Sequence, residues 1–417
     1  MSGPACLACG SSAVTRFLEL PDVPVFCNVL LKDEDEAKAA PRGTLDLGIC
    51  GDCGHVFNLK FDPELVAYAE GYENSLHHSP RFQAYAEELA AELKQRHGLT
   101  EGHVVEIACG QGDFLKLVCS EPGCTGTGFD PSFRGEQLGG GITMEREYFG
   151  ARPLGRTVDL ICCRHALEHI DDPVPFLEMV RRGVPAGSDP AVFFEVPNSL
   201  YSLRDGGVWD FIYEHVSYFC GTSLSACFER AGYAVGRTWE TFAGQFLCLE
   251  TAPAGSGLEG GPVAPVPPVP ELVAMAAGLG DEMAALLGKW RERFATVAAA
   301  GGRVAVWVDS TVSGHLLDIF QRFNAAVGAQ APLVYDMYTG MGGYRVLSDV
   351  NQALFGQATL PNYHLSHADV VLSFGANFLG TWLSSVRYGV EFGDFRGQSL
   401  GKRGFLAQLE PRMSING

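Results

Sequence analysis

With 417 residues, 47% of them hydrophobic and 19% charged, the chain can build more than one hydrophobic core, and two or three domains are expected. A formal charge of −19 opposes a nucleic-acid phosphate surface as partner and points to a small-molecule substrate. Residues Met1 to Cys6 show no basic or apolar leader pattern and no run of about 18 apolar residues occurs, so a soluble cytoplasmic protein without a membrane partner is expected.

The first readable elements are two knuckles, Cys6-Leu7-Ala8-Cys9-Gly10 and Cys50-Gly51-Asp52-Cys53-Gly54. Each presents two thiolates to one ion, and the glycine after each pair permits the left-handed turn. Together Cys6, Cys9, Cys50 and Cys53 make a tetrahedral S4 site for zinc, with iron as the alternative ion. Four sulfurs close the coordination sphere, so the metal is expected to fold the segment from Cys6 to about Phe57 and to take no part in chemistry. Cys27 and His55 lie nearby and read as packing or surface residues. All 13 cysteines fall between Cys6 and Cys248, in a chain expected to be reducing rather than disulfide-bonded.

Further on, Val104-Val105-Glu106-Ile107-Ala108-Cys109-Gly110-Gln111-Gly112 reads as a strand ending in a tight turn, and Phe114-Leu115 open a helix. Glycines let the backbone approach a ligand, and Glu106 offers a carboxylate to ribose hydroxyls. Gly126 to Asp130 is a second strand closing on an acid, where a doubly wound sheet places another ribose ligand. The first turn lacks the G-x-G-x-x-G that a pyrophosphate needs at a helix N-terminus, because position 108 is alanine. A cofactor with a ribose and no phosphate fits better, and S-adenosylmethionine (SAM) is expected.

Three more segments follow in order: the strand Val158 to Cys163, then Arg164-His165-Ala166-Leu167-Glu168-His169-Ile170-Asp171-Asp172-Pro173, then the strand Val192 to Asn198. With Glu106 to Gly112 and Asp130 they resemble the successive motifs of class I SAM-dependent methyltransferases. The resemblance implies cofactor contacts at Glu106, Ala108, Gly110, Gln111, Gly112, Phe114, Asp130, Pro131 and Arg164.

Cysteine knuckles ahead of such a domain, Tyr72-Glu73-Asn74-Ser75-Leu76-His77-His78-Ser79, and Trp209 to Phe219 resemble the sugar C-methyltransferases of antibiotic deoxysugar pathways, a likeness that runs to about Glu250. It implies C-methylation of a nucleotide-linked keto sugar. Carbon methylation needs a base titrating near neutrality and donors for a developing oxyanion. His215 is the expected base, with Tyr213, Glu214, Tyr72 and His165 as substrate binders, donors or orienting groups. The family's Tyr-His-Glu-His is represented here by Tyr213-Glu214-His215, with one histidine missing, so an O- or N-methyl acceptor stays open.

From Thr251 to Pro270 the composition turns to Ala, Gly, Pro and Val, and the Pro-Val-Pro-Pro-Val-Pro run reads as a linker. Leu272, Met275, Leu279, Met283, Leu286 and Leu287 then follow helical spacing, predicting a bridging helix over 271–300. Gly301 to Trp307 begins a new strand. Asp369 to Leu379, Trp382-Leu383-Ser384, Val386-Arg387-Tyr388 and Glu410 to Ser414 resemble a fragment of a molybdopterin oxidoreductase iron–sulfur subunit, although this stretch holds no cysteine to ligate a cluster. A gene fusion or truncated reading frame is the expected origin. Two other readings follow: a zinc-stabilised SAM-binding protein with impaired catalysis, and a respiratory redox fragment.

The expected fold is α/β: a class I SAM-methyltransferase Rossmann-like fold with a small N-terminal zinc domain and a partial α/β C-terminal domain. Boundaries are expected at 1–60 for the zinc domain, 61–250 for the methyltransferase domain, 251–300 for the linker and bridging helix, and 301–417 for the C-terminal domain.

Overall fold

The computed structural model describes residues 4–27, 29, 34–66, 77, 79–135, 137–251 and 266–300, and thereafter 307–309, 314–326, 333–335, 350–357, 364–368, 370–374, 378–379, 385–397 and 404–409. It divides into one unit of Met1–Lys32 with Ala39–Trp290 and another of Asp33–Lys38 with Arg291–Gly417.

In the first unit, β1 (Val14–Pro24), β2 (Arg42–Cys50) and β3 (Val56–Asn58) form an antiparallel meander, and a fourth strand, β9 (Ser217–Tyr218), adds to its edge from far along the chain. Leu45 to Cys50 of β2 are buried without alternation, because both faces of the strand are covered. Leu45, Leu47, Ile49 and Val56 pack with Phe211 and Tyr218, and with Leu272 and Ala276 of the helix Val269–Ala299. That helix docks closely. A Cβ at Gly280 would stand 2.1 Å from the Phe17 carbonyl oxygen.

The helix Pro80–His97 starts where Ser79 caps it and proline occupies its first position, and it ends at Gly98, whose φ of +59° suits a residue without a Cβ. Phe82, Ala86, Leu89, Ala90 and Leu93 recur at helical spacing and form its buried stripe. Next come β4 (Glu101–Ile107), β5 (Gly123–Phe129), β6 (Ile142–Glu145), β7 (Leu160–Arg164), β8 (Ala191–Pro197), β10 (Val235–Thr241) and β11 (Phe246–Thr251). They make one seven-stranded sheet in the order β10-β11-β8-β7-β4-β5-β6, parallel except for β11, which runs antiparallel to β8 and to β10.

Side chains alternate between two cores across this sheet. Val105, Ile161, Val192, Phe194 and Leu247 face one side, and Val104, Leu160, Ala191, Phe193 and Phe246 the other. The chain leaves β4 toward β5 and β6, then returns to β7 on the opposite side. The topological switch point therefore lies beyond the C-terminal ends of β4 and β7, where open α/β sheets bind ligands.

The second unit contains the parallel pairs β12 (Trp307–Asp309) with β13 (Leu333–Tyr335) and β14 (Val370–Phe374) with β15 (Phe405–Leu409), together with the helices Gly314–Ala326 and Ser385–Gly397, an α/β arrangement. Of the expected strand from Gly301, the part 301–306 lies outside the described residues, as do 382–384 and 410–414 of the second resemblance. Among the described residues no helix is long and apolar enough to cross a membrane.

Glu250 of β11 joins the edge of the sheet to the helix Pro80–His97, meeting the imidazole of His97 and the Arg237 guanidinium of β10, the latter at 2.6 Å. Burial opposes its charge, but His97 and Arg237 together hold it below the usual carboxylate range. A lowered folded-state pKa contributes stability above the unfolded carboxylate value, and this is lost as pH falls toward the folded value. Glu250→Gln is expected to lose about 3 kcal/mol in urea unfolding at pH 7, with the difference from the parent shrinking below about pH 4.

Candidate active site and metal centre

At the end of β4 the chain turns through three left-handed residues, Ala108, Gly110 and Gly112, with φ of 56°, 55° and 78°. Gly112 opens the helix Asp113–Val118. A Cβ there would press on Leu138 at 2.7 Å, whereas one on Gly110 would meet nothing within 4 Å. The turn therefore packs closely beneath and is open above, a cradle into which a ligand can approach the backbone.

Asp130, at the end of β5, braces this turn. Its Oδ2 accepts the Gly110 N–H at 2.7 Å, and its Oδ1 accepts from the Ser132 N–H at 2.8 Å and hydroxyl at 2.6 Å. Three of roughly four lone-pair sites are used, which leaves acceptor capacity for a ribose hydroxyl. Gln111 ties the turn to the loop after β5 by accepting the Arg134 N–H at 3.3 Å, and Pro131 is exposed beside it.

Glu106, Phe114 and Arg164 lie deeper. Glu106 is buried, its Oε2 has no hydrogen-bond partner among the described residues, and burial pushes its carboxyl up to about 8. The Arg164 guanidinium stands 4.0 Å from the Phe114 ring centroid and 2.9 Å from Glu195 Oε2, its register neighbour on β8.

Past β7, His165 takes a left-handed φ of 51° and places Nε2 2.8 Å from Glu195 Oε1. Glu195 and Glu168 are both fully buried but diverge. Burial opposes charge on Glu195, yet Arg164 and His165 bring it to about 2, whereas burial pushes Glu168 up to about 8.

His169 follows in the short turn Leu167–His169, and its ring lies edge-on to His215 with centroids 4.8 Å apart. Nδ1 of His215 is 3.0 Å from the Asp210 carbonyl, and Nδ1 of His169 is 3.0 Å from the Glu214 carbonyl. A carbonyl only accepts, so both Nδ1 atoms carry hydrogen, and Nε2 of His215 presents a lone pair. Burial lowers His169 to about 4 and His215 well below the ordinary imidazole value.

The residues on either side of this pair face the N-terminal sheet. The Tyr213 hydroxyl accepts the Asp62 N–H at 2.9 Å, and its ring lies where a Cβ on residue 43 would stand at 2.1 Å, so glycine is required there. Glu214 Oε2 accepts from the Cys27 N–H at 3.0 Å and its thiol at 2.8 Å. His55 is buried between Phe57 and Phe219. Tyr72 lies outside the described residues. Glu168, His169, Glu195 and Asp210 were not singled out by residue type. The signal for Glu195 was an acid at a strand's C-terminal end, level with Arg164 once β7 and β8 are neighbours.

At the other end of the N-terminal sheet the two knuckles meet. Cys6 Sγ is 3.6 Å from Cys53 Sγ and Cys9 Sγ 3.6 Å from Cys50 Sγ, with all four within 4.8 Å of one another. Tetrahedral zinc with bonds of about 2.3 Å needs sulfur separations of about 3.8 Å, so the set fits. Gly10 and Gly54 have φ of 81° and 74°, and the Asp52 N–H donates to Cys50 Sγ at 3.4 Å. The cysteines share a core with Phe219 and with Leu224 and Phe228 of the helix Gly221–Arg230.

Strand order, turn and bracing acid define a class I SAM-dependent methyltransferase fold, preceded by a four-cysteine zinc domain. Residues 78–237 match a family model described as "Methyltransferase domain", and residues 6–65 one described as "Putative zinc binding domain". A comparison with curated proteins gives no match. Among solved structures, the chain is similar to a putative O-methyltransferase from Nostoc punctiforme at 15% identity, covering 40% of this chain and 55% of that one, with a TM-score of 0.33. It is also similar to a SAM-dependent methyltransferase from Aquifex aeolicus (17%, 40% and 96%, 0.31) and to magnesium protoporphyrin IX methyltransferase from Synechocystis (17%, 44% and 90%, 0.34).

Metal analysis of the full chain is expected to find one tightly held zinc, absent from a Cys9→Ser, Cys53→Ser variant. Chelation should remove on the order of 10 kcal/mol of folding free energy from the N-terminal sheet, read as a lowered thermal midpoint.

Proposed function

We propose that the protein transfers a methyl group from SAM to carbon, next to the carbonyl of a nucleotide-linked keto sugar. The observation that carries this reading is the buried His215, whose Nδ1–H is committed to the Asp210 carbonyl so that Nε2 is a lone pair. A neutral imidazole in a fixed tautomer can accept a proton, and burial holds His215 in that neutral form by lowering it well below the near-neutral range expected of the base.

When bound, SAM supplies an electrophilic methyl group and leaves as S-adenosylhomocysteine. Asp130, Gly110, Gly112 and Gln111 would hold its ribose end, and Ala108, Pro131, Glu106, Phe114 and Arg164 would line that end of the cleft. His215 Nε2 takes the proton from the acceptor carbon. His165, oriented by Glu195, and Tyr72 serve as donors to the developing enolate oxygen. Tyr213 and Glu214 act by orientation: their contacts with Asp62 and Cys27 hold the segment that carries His215.

Asp130→Ala is expected to weaken SAM binding at least about tenfold in calorimetry, since it removes both the ribose acceptor and the Gly110 brace. In assays with labelled SAM and nucleotide-linked 4-keto sugars, His215→Ala should lower transfer by about 10²–10⁴-fold while SAM affinity stays within about twofold. Equal transfer by parent and variant would remove His215 as base. SAM binding without transfer to keto, hydroxyl or amine acceptors would favour a binding protein without turnover.

A further inference from the structure

We propose that Glu168, His169 and His215 form a second metal centre, a site for a divalent transition cation, and that its occupation competes with proton removal at His215. One ligand atom from each residue lies within 4.8 Å of the others. Sequence separates them, but the Val216 N–H donates to the Glu168 carbonyl at 2.9 Å and draws the two segments together.

Three features favour a cation there. Glu168 is 2% exposed and its Oε2 has no hydrogen-bond partner among the described residues, while His165 Nδ1 stands 3.9 Å from Oε1, too far to satisfy it. Both imidazoles donate Nδ1–H to main-chain carbonyls, the outer-shell arrangement by which proteins aim Nε2 at a metal. Their rings lie edge to face at 78° with centroids 4.8 Å apart, so the two imidazoles come together from different directions beside Glu168.

Two imidazoles and a carboxylate suit zinc, cobalt or ferrous iron, and three protein ligands leave a coordination position open. The set contains no sulfur, which distinguishes it from the four-cysteine centre. A cation bound through His215 Nε2 uses the lone pair that proton removal requires. The competition rests on the assignment of His215 as base, whereas the binding does not.

Cobalt titration of the full chain separates the two centres. The four-cysteine centre gives intense thiolate-to-cobalt charge transfer, and the second centre gives weaker ligand-field bands without it. The parent is expected to bind two equivalents. In His169→Ala and in Glu168→Gln the second should weaken about 100-fold, with the thiolate band unchanged as a sign that the protein is folded. Zinc beyond the first equivalent should lower methyl transfer at least about tenfold, and a weak chelator should restore it. Saturation at one equivalent, or a second that persists in both variants, overturns the site. Two equivalents with undiminished transfer overturn the competition and the assignment of His215 as base. Two equivalents in a protein that transfers no methyl group support the site and remove the methyltransferase reading.

Discussion

The pairing of Ser217–Tyr218 with Val56–Phe57 is the contact on which the rest of the site depends. It makes a strand from the methyltransferase domain the fourth member of the zinc-bearing sheet. The segment 213–218 is consequently gripped from the N-terminal side at several points: Tyr213 by Gly43 and Asp62, Glu214 by Cys27, and the Val216 carbonyl by the Asn58 N–H. His215 lies in the middle of this grip. The four-cysteine centre lies at one end of this sheet, and the sheet's own contacts with the segment 213–218 set the position of the imidazole.

Burial without compensation is the second organising theme. Glu195 and Glu168 are equally removed from water, but Glu195 has the Arg164 guanidinium at 2.9 Å and the His165 imidazole at 2.8 Å, whereas His165 stands 3.9 Å from Glu168. The first is therefore an anion that orients its neighbours, and the second a group held near neutrality. Such separation of two nearby carboxyls is a common way for a fold to assign them different tasks.

Much of this was legible from spacing alone. The cysteine knuckles followed from their intervals and glycines, and the SAM turn from a strand, small residues and an acid one strand later. The doubly wound sheet followed from two successive strands closing on acids and from the order of the later motifs. Other features had no local signature. Ala108 was read as a missing glycine, but it adopts the left-handed conformation itself. Asp130 accepts the Gly110 N–H and so braces the turn, a contact between strand ends that no local pattern announces. The packing of the first turns of the helix from Val269 on the N-terminal sheet, through Leu272 and Ala276, likewise had no local signature.

Sequence by itself determined the chemistry available, because ligand type, turn glycines and strand hydrophobicity are properties of neighbouring residues. It placed sulfur for zinc, a glycine cradle for SAM, and histidines within the fourth motif and after the fifth. Only tertiary structure decided which of those groups meet. His169 and His215 are separated by 46 positions in the chain yet lie with ring centroids 4.8 Å apart. Tyr213 and Glu214, adjacent to His215, turn away from it to the N-terminal sheet. The physical reason is that burial and pairing are set by strand order and register, which bring distant segments to one edge and leave sequence neighbours on opposite faces.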